Sequence, residues 1–323
     1  MKMQPTISVL GISLLLALSA QGAEVKVEKA QYAGWENNIR LTNETVELII
    51  TLDVGPRILR YGFVDEENVF WEKVEDLGGT GEKEFRLRGG HRLWHAPEIP
   101  SRTYYPDNGP VTAEKLFANS VRVRAATEVP AYVIKEMDVS MAADTGRVTV
   151  VHRIINVGPW PIELASWALS VMAPGGLEII PLPEKTPHPQ ALLPEFPLVT
   201  WSYTDLADSR FKFGSRYIAV QHEKKGPNKL GLTLTKGWAA YLRNGYLFVK
   251  SVPYQAGATY PDMGCNYETW TNQDMLEMET LGPLQTLEPG KACQHTEQWG
   301  IFKDVPELKT EEDADRVILP LLK

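Results

Sequence analysis

Two glutamates, Glu277 and Glu279, stand two residues apart in the run Asp-Met-Leu-Glu-Met-Glu-Thr-Leu at 274–281. Side chains alternate between the faces of a strand, so Met275, Glu277, Glu279 and Leu281 share one side. Two carboxylates on one face of an otherwise apolar strand are costly to bury. Such a pair is either solvated or set in a cleft, where one member takes a proton and the other raises its pKa. A turn, Leu-Glu-Pro-Gly-Lys at 287–291, and a further strand running to Phe302 come next. That order reads as two strands joined by a turn; paired as a hairpin they would set His295 near Glu277, though the irregular turn leaves the register unfixed.

Residues 89–98, Gly-Gly-His-Arg-Leu-Trp-His-Ala-Pro-Glu, crowd His91, Arg92, Trp94, His95 and Glu98 behind two glycines. The glycines permit an unusual backbone or a close approach to a ligand. His91 and His95 have the spacing of a helical zinc pair, but no glutamate follows His91, and Pro97 opposes a continuing helix. A loop or strand end facing a cleft is expected instead, with Trp94 stacked on the apolar face of a sugar ring. A structural loop with Trp94 in the core accounts for the same residues. Arg57, after the bend at Gly55-Pro56, offers a forked donor to hydroxyl groups, or else a salt bridge. His152, inside an apolar strand, reads as a core residue. Asp262, Asn266, Glu268 and Trp270 precede the carboxylate strand as a loop that could line a polyol site, bind calcium or lie solvated. There is no phosphate-binding glycine loop, no Gly-x-Ser-x-Gly elbow and no Cys/His zinc spacing, so nucleophilic serine or cysteine chemistry has no support and no cofactor is implied.

The elements that must position these groups read as strands. Segments 46–52, 121–126, 132–141, 147–155, 163–172, 217–222, 230–235, 246–252, 275–281 and 293–302 are rich in β-branched or aromatic residues. Turn chemistry separates them, most clearly Asn244-Gly245 between two apolar runs. Many regularly spaced strands predict an all-β chain, a sandwich or a barrel. Helix is expected only at 311–322, weakened by Pro320. Six prolines between Pro181 and Pro197 predict an extended loop.

Lys2, an apolar run at 7–18 and small residues at 17–23 form a signal peptide too short to span a bilayer. About 300 residues then remain, enough for one β domain at 24–323. A net charge of −8 leaves no electrostatic footprint for nucleic acid. No later segment reads as a membrane span, so the chain is expected in the periplasm or outside the cell. Cys265 and Cys293 flank the carboxylate strand and either pair or stay as free buried thiols.

The motifs Met278-Glu279-Thr280, Leu287-Glu-Pro-Gly290 and His295-Thr296 resemble those of the galactose mutarotase-like superfamily, the aldose 1-epimerase relatives. Gly55-Pro-Arg-Ile58 with Asn68-Val-Phe-Trp71 is similar to that family's opening hairpin, and Ile155-Asn-Val-Gly-Pro-Trp-Pro-Ile162 to its central turn. Residues 89–98 look closest to an exported bacterial branch with a Gly-Gly-x-Arg-Leu-Trp-x-Ala-Pro-Glu signature. The resemblance implies a large antiparallel β-sandwich with its site on a concave sheet face. In the family a glutamate deprotonates the anomeric hydroxyl and a histidine protonates the ring oxygen. The ring opens and recloses with the anomer inverted.

Glu279 matches the glutamate. The histidine's place, in Leu164-Ala-Ser-Trp-Ala-Leu-Ser170, holds Trp167, which cannot donate a proton as an acid. The acid then falls to His91 or His95, with Arg57, Arg92, Trp94, Glu98, Trp167, Glu268, Trp270 and Glu277 around a mono- or oligosaccharide. The alternatives are a sugar-binding module without catalysis and, third, a glycoside-cleaving enzyme. Carboxylates two apart on a strand are separated by about 7 Å, near the inverting range.

Overall fold

Alternation is the governing pattern. In the strand Val148–Asn156 every second side chain is buried, the period of a sheet with one face on a core. The computed structural model describes residues 24–322, so the expected signal peptide lies outside the described residues. Two large antiparallel sheets face each other. One is 11-stranded and the other 10-stranded.

Along the first sheet the order is Lys26–Tyr32, Trp35–Thr42, Val46–Thr51, Arg57–Phe63, His91–Ala96, Ile162–Met172, Leu276–Leu281, Tyr267–Thr271, Asn228–Leu232 and Leu198–Thr200, with Gln285–Leu287 paired to Ile162–Met172. The second sheet has Ala292–Phe302 at its centre, between Tyr246–Ser251 and Val148–Asn156. One core lies between the sheets. It takes Leu48, Ile50, Ile58 and Met278 from the first, and Val121, Val139, Val150 and Trp299 from the second.

The strands Leu276–Leu281 and Ala292–Phe302 do not form the expected hairpin. They lie in different sheets, and the chain crosses the sandwich between them. His295 therefore meets Thr280 across the core, with its Nε2 2.8 Å from the threonine Oγ1, rather than meeting Glu277. The Asn244-Gly245 hairpin does form. Both residues have positive φ, 50° and 80°, and Arg243 pairs with Tyr246. A helix, Glu311–Ile318, sits at the C-terminal end, followed by a 3-10 turn through Leu322. Cys265 and Cys293 are both free and buried.

Gly89 and Gly90 serve backbone approach rather than a ligand. A Cβ at Gly89 would lie 2.0 Å from the Trp71 carbonyl oxygen, and one at Gly90 2.3 Å from that of Ile58. They let the chain enter the strand His91–Ala96 pressed against its neighbours.

Candidate functional site

Strand alternation builds the site from five adjacent strands of the first sheet. On His91–Ala96 the residues Arg92 and Trp94 point away from the core, while Leu93 enters it. Trp167 and Leu169 of Ile162–Met172 share that outer face, as do Glu277 and Glu279 of Leu276–Leu281. Trp270 and Lys229 continue it on the next two strands. Register aligns them in rows. Arg92 pairs with Leu169, Leu169 with Glu279, and Glu279 with Glu268. In the neighbouring row Glu277 pairs with Trp270, and Trp270 with Lys229. Phe85, Leu87, Glu98, Tyr104 and Tyr203 rise from loops as walls. They enclose an open hollow of about 220 Å³, just under the lower end, about 300 Å³, of the usual range for small-ligand sites.

The cations in the hollow are tightly paired. Lys229 Nζ lies 2.7 Å from Glu268 Oε2 and 2.9 Å from Glu279 Oε2. The Trp167 indole N–H donates to the same Glu279 oxygen at 2.9 Å. Arg92 Nη2 donates to Glu277 Oε1 at 2.9 Å, and its guanidinium lies 4.4 Å from the centre of the Trp94 ring. The Arg92 Nε and Nη1 groups are buried without partners. Burial raises the Glu277 carboxyl's pKa, Arg92 opposes the rise, and the Glu279 charge adds to it. Glu268, deeper still, is pushed well above the ordinary carboxylate range by burial, against the pull of Lys229. Burial lowers the Lys229 pKa, but Glu279 and Glu268 together outweigh it and hold the ammonium protonated. At the mouth, the Tyr104 hydroxyl donates to Glu98 at 2.5 Å.

The structure brings together Glu279, Glu277, Arg92, Trp94, Glu98, Trp167 and Trp270, with Glu268 beneath Lys229. Glu268 and Trp270 belong to the strand Tyr267–Thr271, not to a loop. Buried Asn266 bonds to the backbone of Leu234.

His91, His95 and Arg57 do not join them. His91 and His95 occupy the odd positions of their strand, and the same alternation that sends Arg92 and Trp94 outward turns both imidazoles into the protein. His91 Nε2 is 2.8 Å from His152 Nε2, and its Nδ1 is 2.9 Å from Ser170 Oγ. Burial holds its pKa well below the ordinary imidazole value. His95 is fully buried with both ring nitrogens unpartnered, and burial lowers its pKa to about 3. The Arg57 guanidinium is enclosed, donating to Asp107 at 2.7 Å and to the carbonyls of Leu87 and Gly89 at 2.9 and 2.6 Å. It anchors the loop that carries the Phe85 and Leu87 wall.

Behind the floor, His91, His152 and Glu297 bring ligand atoms within 4.8 Å of one another, a spacing that suits a metal ion. Hydrogen bonds already use these atoms. His152 Nδ1 faces the His295 carbonyl at 3.1 Å, so it donates there. Its Nε2 then accepts from His91, whose Nδ1 accepts from Ser170. Glu297 accepts from Lys250 at 3.0 Å, from the Trp299 indole at 2.8 Å and from Thr280. This chain of bonds accounts for the cluster without an ion.

Sequence reasoning missed Lys229, Tyr104, Tyr203 and Phe85. Lys229 carried a usable signal, since a lysine opening the apolar run Leu230-Gly-Leu needs a buried carboxylate. The loop aromatics carried none.

No family model matches the chain, and no curated protein matches it in sequence. Solved structures do match in fold. A Synechocystis protein aligns at TM-score 0.55 and 11% identity, covering 85% of this chain and 99% of its own. A galactose mutarotase-like protein from Lactobacillus casei aligns at TM-score 0.52 and 12% identity, covering 82% of this chain and 100% of its own. A galactose mutarotase related enzyme from Lactobacillus acidophilus aligns at TM-score 0.52 and 10% identity, covering 84% and 100%. The chain has the galactose mutarotase-like fold.

Proposed function

For a chain with the galactose mutarotase-like fold, we propose an exported carbohydrate-binding protein that holds a saccharide in the Glu277/Glu279 hollow without interconverting its anomers. One observation carries this reading. The face that bears Glu279 holds no imidazole among its described residues, and both floor carboxylates are engaged by a cation. Anomer exchange needs a base with a free lone pair and an acid across the ring. Here Glu279 accepts from Lys229 and Trp167 through Oε2 alone, so its Oε1 is still an acceptor and the acid decides the matter: the position expected to carry it is Trp167.

Binding suits the same atoms. Indole rings and tyrosines supply apolar faces for a pyranose, and Arg92, Glu277 and Glu279 supply donors and acceptors for its hydroxyls. Export rests on Lys2, the apolar run at 7–18 and the small residues at 17–23. Among the described residues no helix is long and apolar enough to cross a membrane. No cofactor, calcium included, enters the reading.

Anomer exchange of several aldoses followed by NMR, alongside calorimetric titration, tests it. Exchange rates should be equal with wild type, with Glu279→Gln and without protein. Binding should weaken by about tenfold in Glu279→Gln, the loss of one charge-assisted hydrogen bond. Acceleration by wild type that disappears in Glu279→Gln would replace this reading with an epimerase.

A further inference from the structure

We propose that the hollow selects saccharides bearing an ammonium group over neutral ones and discriminates against those bearing a carboxylate or phosphate, an inference that rests on the carbohydrate-binding reading above. Three carboxylates line the hollow, Glu98, Glu277 and Glu279, and Glu268 lies beneath them. The cations among its described lining residues are Arg92 and Lys229. Both are committed, Arg92 to Glu277 and Lys229 to Glu268 and Glu279. Glu98 has no cation partner among the described residues. It accepts from the neutral Tyr104 hydroxyl, and the side chain is exposed at the mouth. Even with Glu268 neutral, Glu98, Glu277 and Glu279 set against Arg92 and Lys229 leave negative charge in excess.

An incoming anion finds both cations already charge-paired, and the two Arg92 donors without partners, Nε and Nη1, are buried. Pairing with Arg92 or Lys229 would release a buried carboxylate from its partner, a costly exchange. An incoming ammonium group finds Glu98 uncompensated, and it finds aromatic walls in Trp270, Tyr104 and Tyr203 whose faces attract cations. Glu98 is exposed, so added salt screens the sign preference.

Calorimetric titration of the full mature chain at about pH 6 and low salt decides the point. The probes are a methyl hexoside, the corresponding 2-amino sugar, its N-acetyl form, the uronate and the hexose phosphate, in both gluco and galacto series. The amino sugar should bind at least about tenfold tighter than the methyl hexoside, the N-acetyl form should lose that gain, and both anions should bind at least about tenfold weaker. Glu98→Gln should narrow the span between amino sugar and uronate, as should about 0.5 M salt. Equal affinities across the charge series, or tighter binding of either anion, overturn the inference and leave carbohydrate binding standing. Failure of every saccharide to bind removes the carbohydrate reading and this inference with it.

Discussion

Lys229 is the residue on which the floor depends. Its ammonium lies between two carboxylates and within 4.8 and 4.7 Å of the centres of the Trp167 and Trp201 rings. Replacing it with methionine keeps the volume but strands Glu268 and Glu279 in a site where they are 0 and 1% exposed. Urea denaturation at neutral pH should show Lys229→Met less stable by about 3–5 kcal/mol, the cost of breaking a buried pair from one side. Acidification should return part of the loss, because protonated carboxyls need no counter-charge. Trp94 tests recognition and stability together, because it is buried in an apolar cluster with Trp167 and Leu169. It packs edge-on to Trp167 with ring centres 5.3 Å apart and carries Arg92 on its face. Trp94→Ala should weaken saccharide binding by about ten- to a hundredfold and remove part of any ligand-induced change in tryptophan fluorescence.

Among the elements, the strand Leu276–Leu281 has two chemistries on opposite faces. Outward it presents Glu277 and Glu279. Inward, Met278 enters the core and Thr280 joins His295 and Glu297. Slipping its register by one residue would exchange the two sets, so the buried network behind the floor specifies which carboxylates face the hollow. The C-terminal helix has a separate, local device. Thr310 accepts from the Asp313 N–H at 3.1 Å, and Asp313 answers by accepting from the Thr310 N–H at 3.1 Å. Thr310→Ala should lower stability by about 1 kcal/mol in chemical denaturation and leave saccharide affinity unchanged.

For the whole molecule, stability follows from what the core encloses. Glu178 is buried between the sheets, with Tyr267 and Thr269 hydroxyls at 2.6 and 2.7 Å, and burial pushes its pKa up to about 8. A carboxyl raised above its unfolded value stabilises the fold fully below the unfolded pKa, and that contribution is lost as pH rises through about 8. The imidazoles work in the other direction. Burial lowers His95 and His295 to about 3. Their contribution is complete above the ordinary imidazole pKa and is lost as pH falls toward about 3. Thermal melts across pH should therefore peak between these limbs. Glu178→Gln should flatten the alkaline limb, by up to about 5 kcal/mol for a shift of this size. NMR should find the His95 and His295 ring protons not titrating between about pH 5 and 8.

Composition, alternation and turn chemistry alone determined that this chain is all-β, a sandwich or a barrel; the choice of a sandwich came from the resemblance to a family. The strands near 148, 163 and 276 and the Asn244-Gly245 hairpin follow from local rules that hold wherever the segment ends up. They also placed Glu277 and Glu279 on one face, because that depends only on a two-residue period. Which face met solvent, and what stood opposite, was decided by tertiary structure. His91 and Arg92 are neighbours in sequence and lie on opposite sides of a sheet. Lys229, 50 residues from Glu279, is 2.9 Å from it. The crossing between residues 281 and 292 put His295 behind the floor rather than beside Glu277. Such pairings come from the order of strands within a sheet, and that order depends on how all the apolar faces are buried at once, a condition no short window of sequence contains.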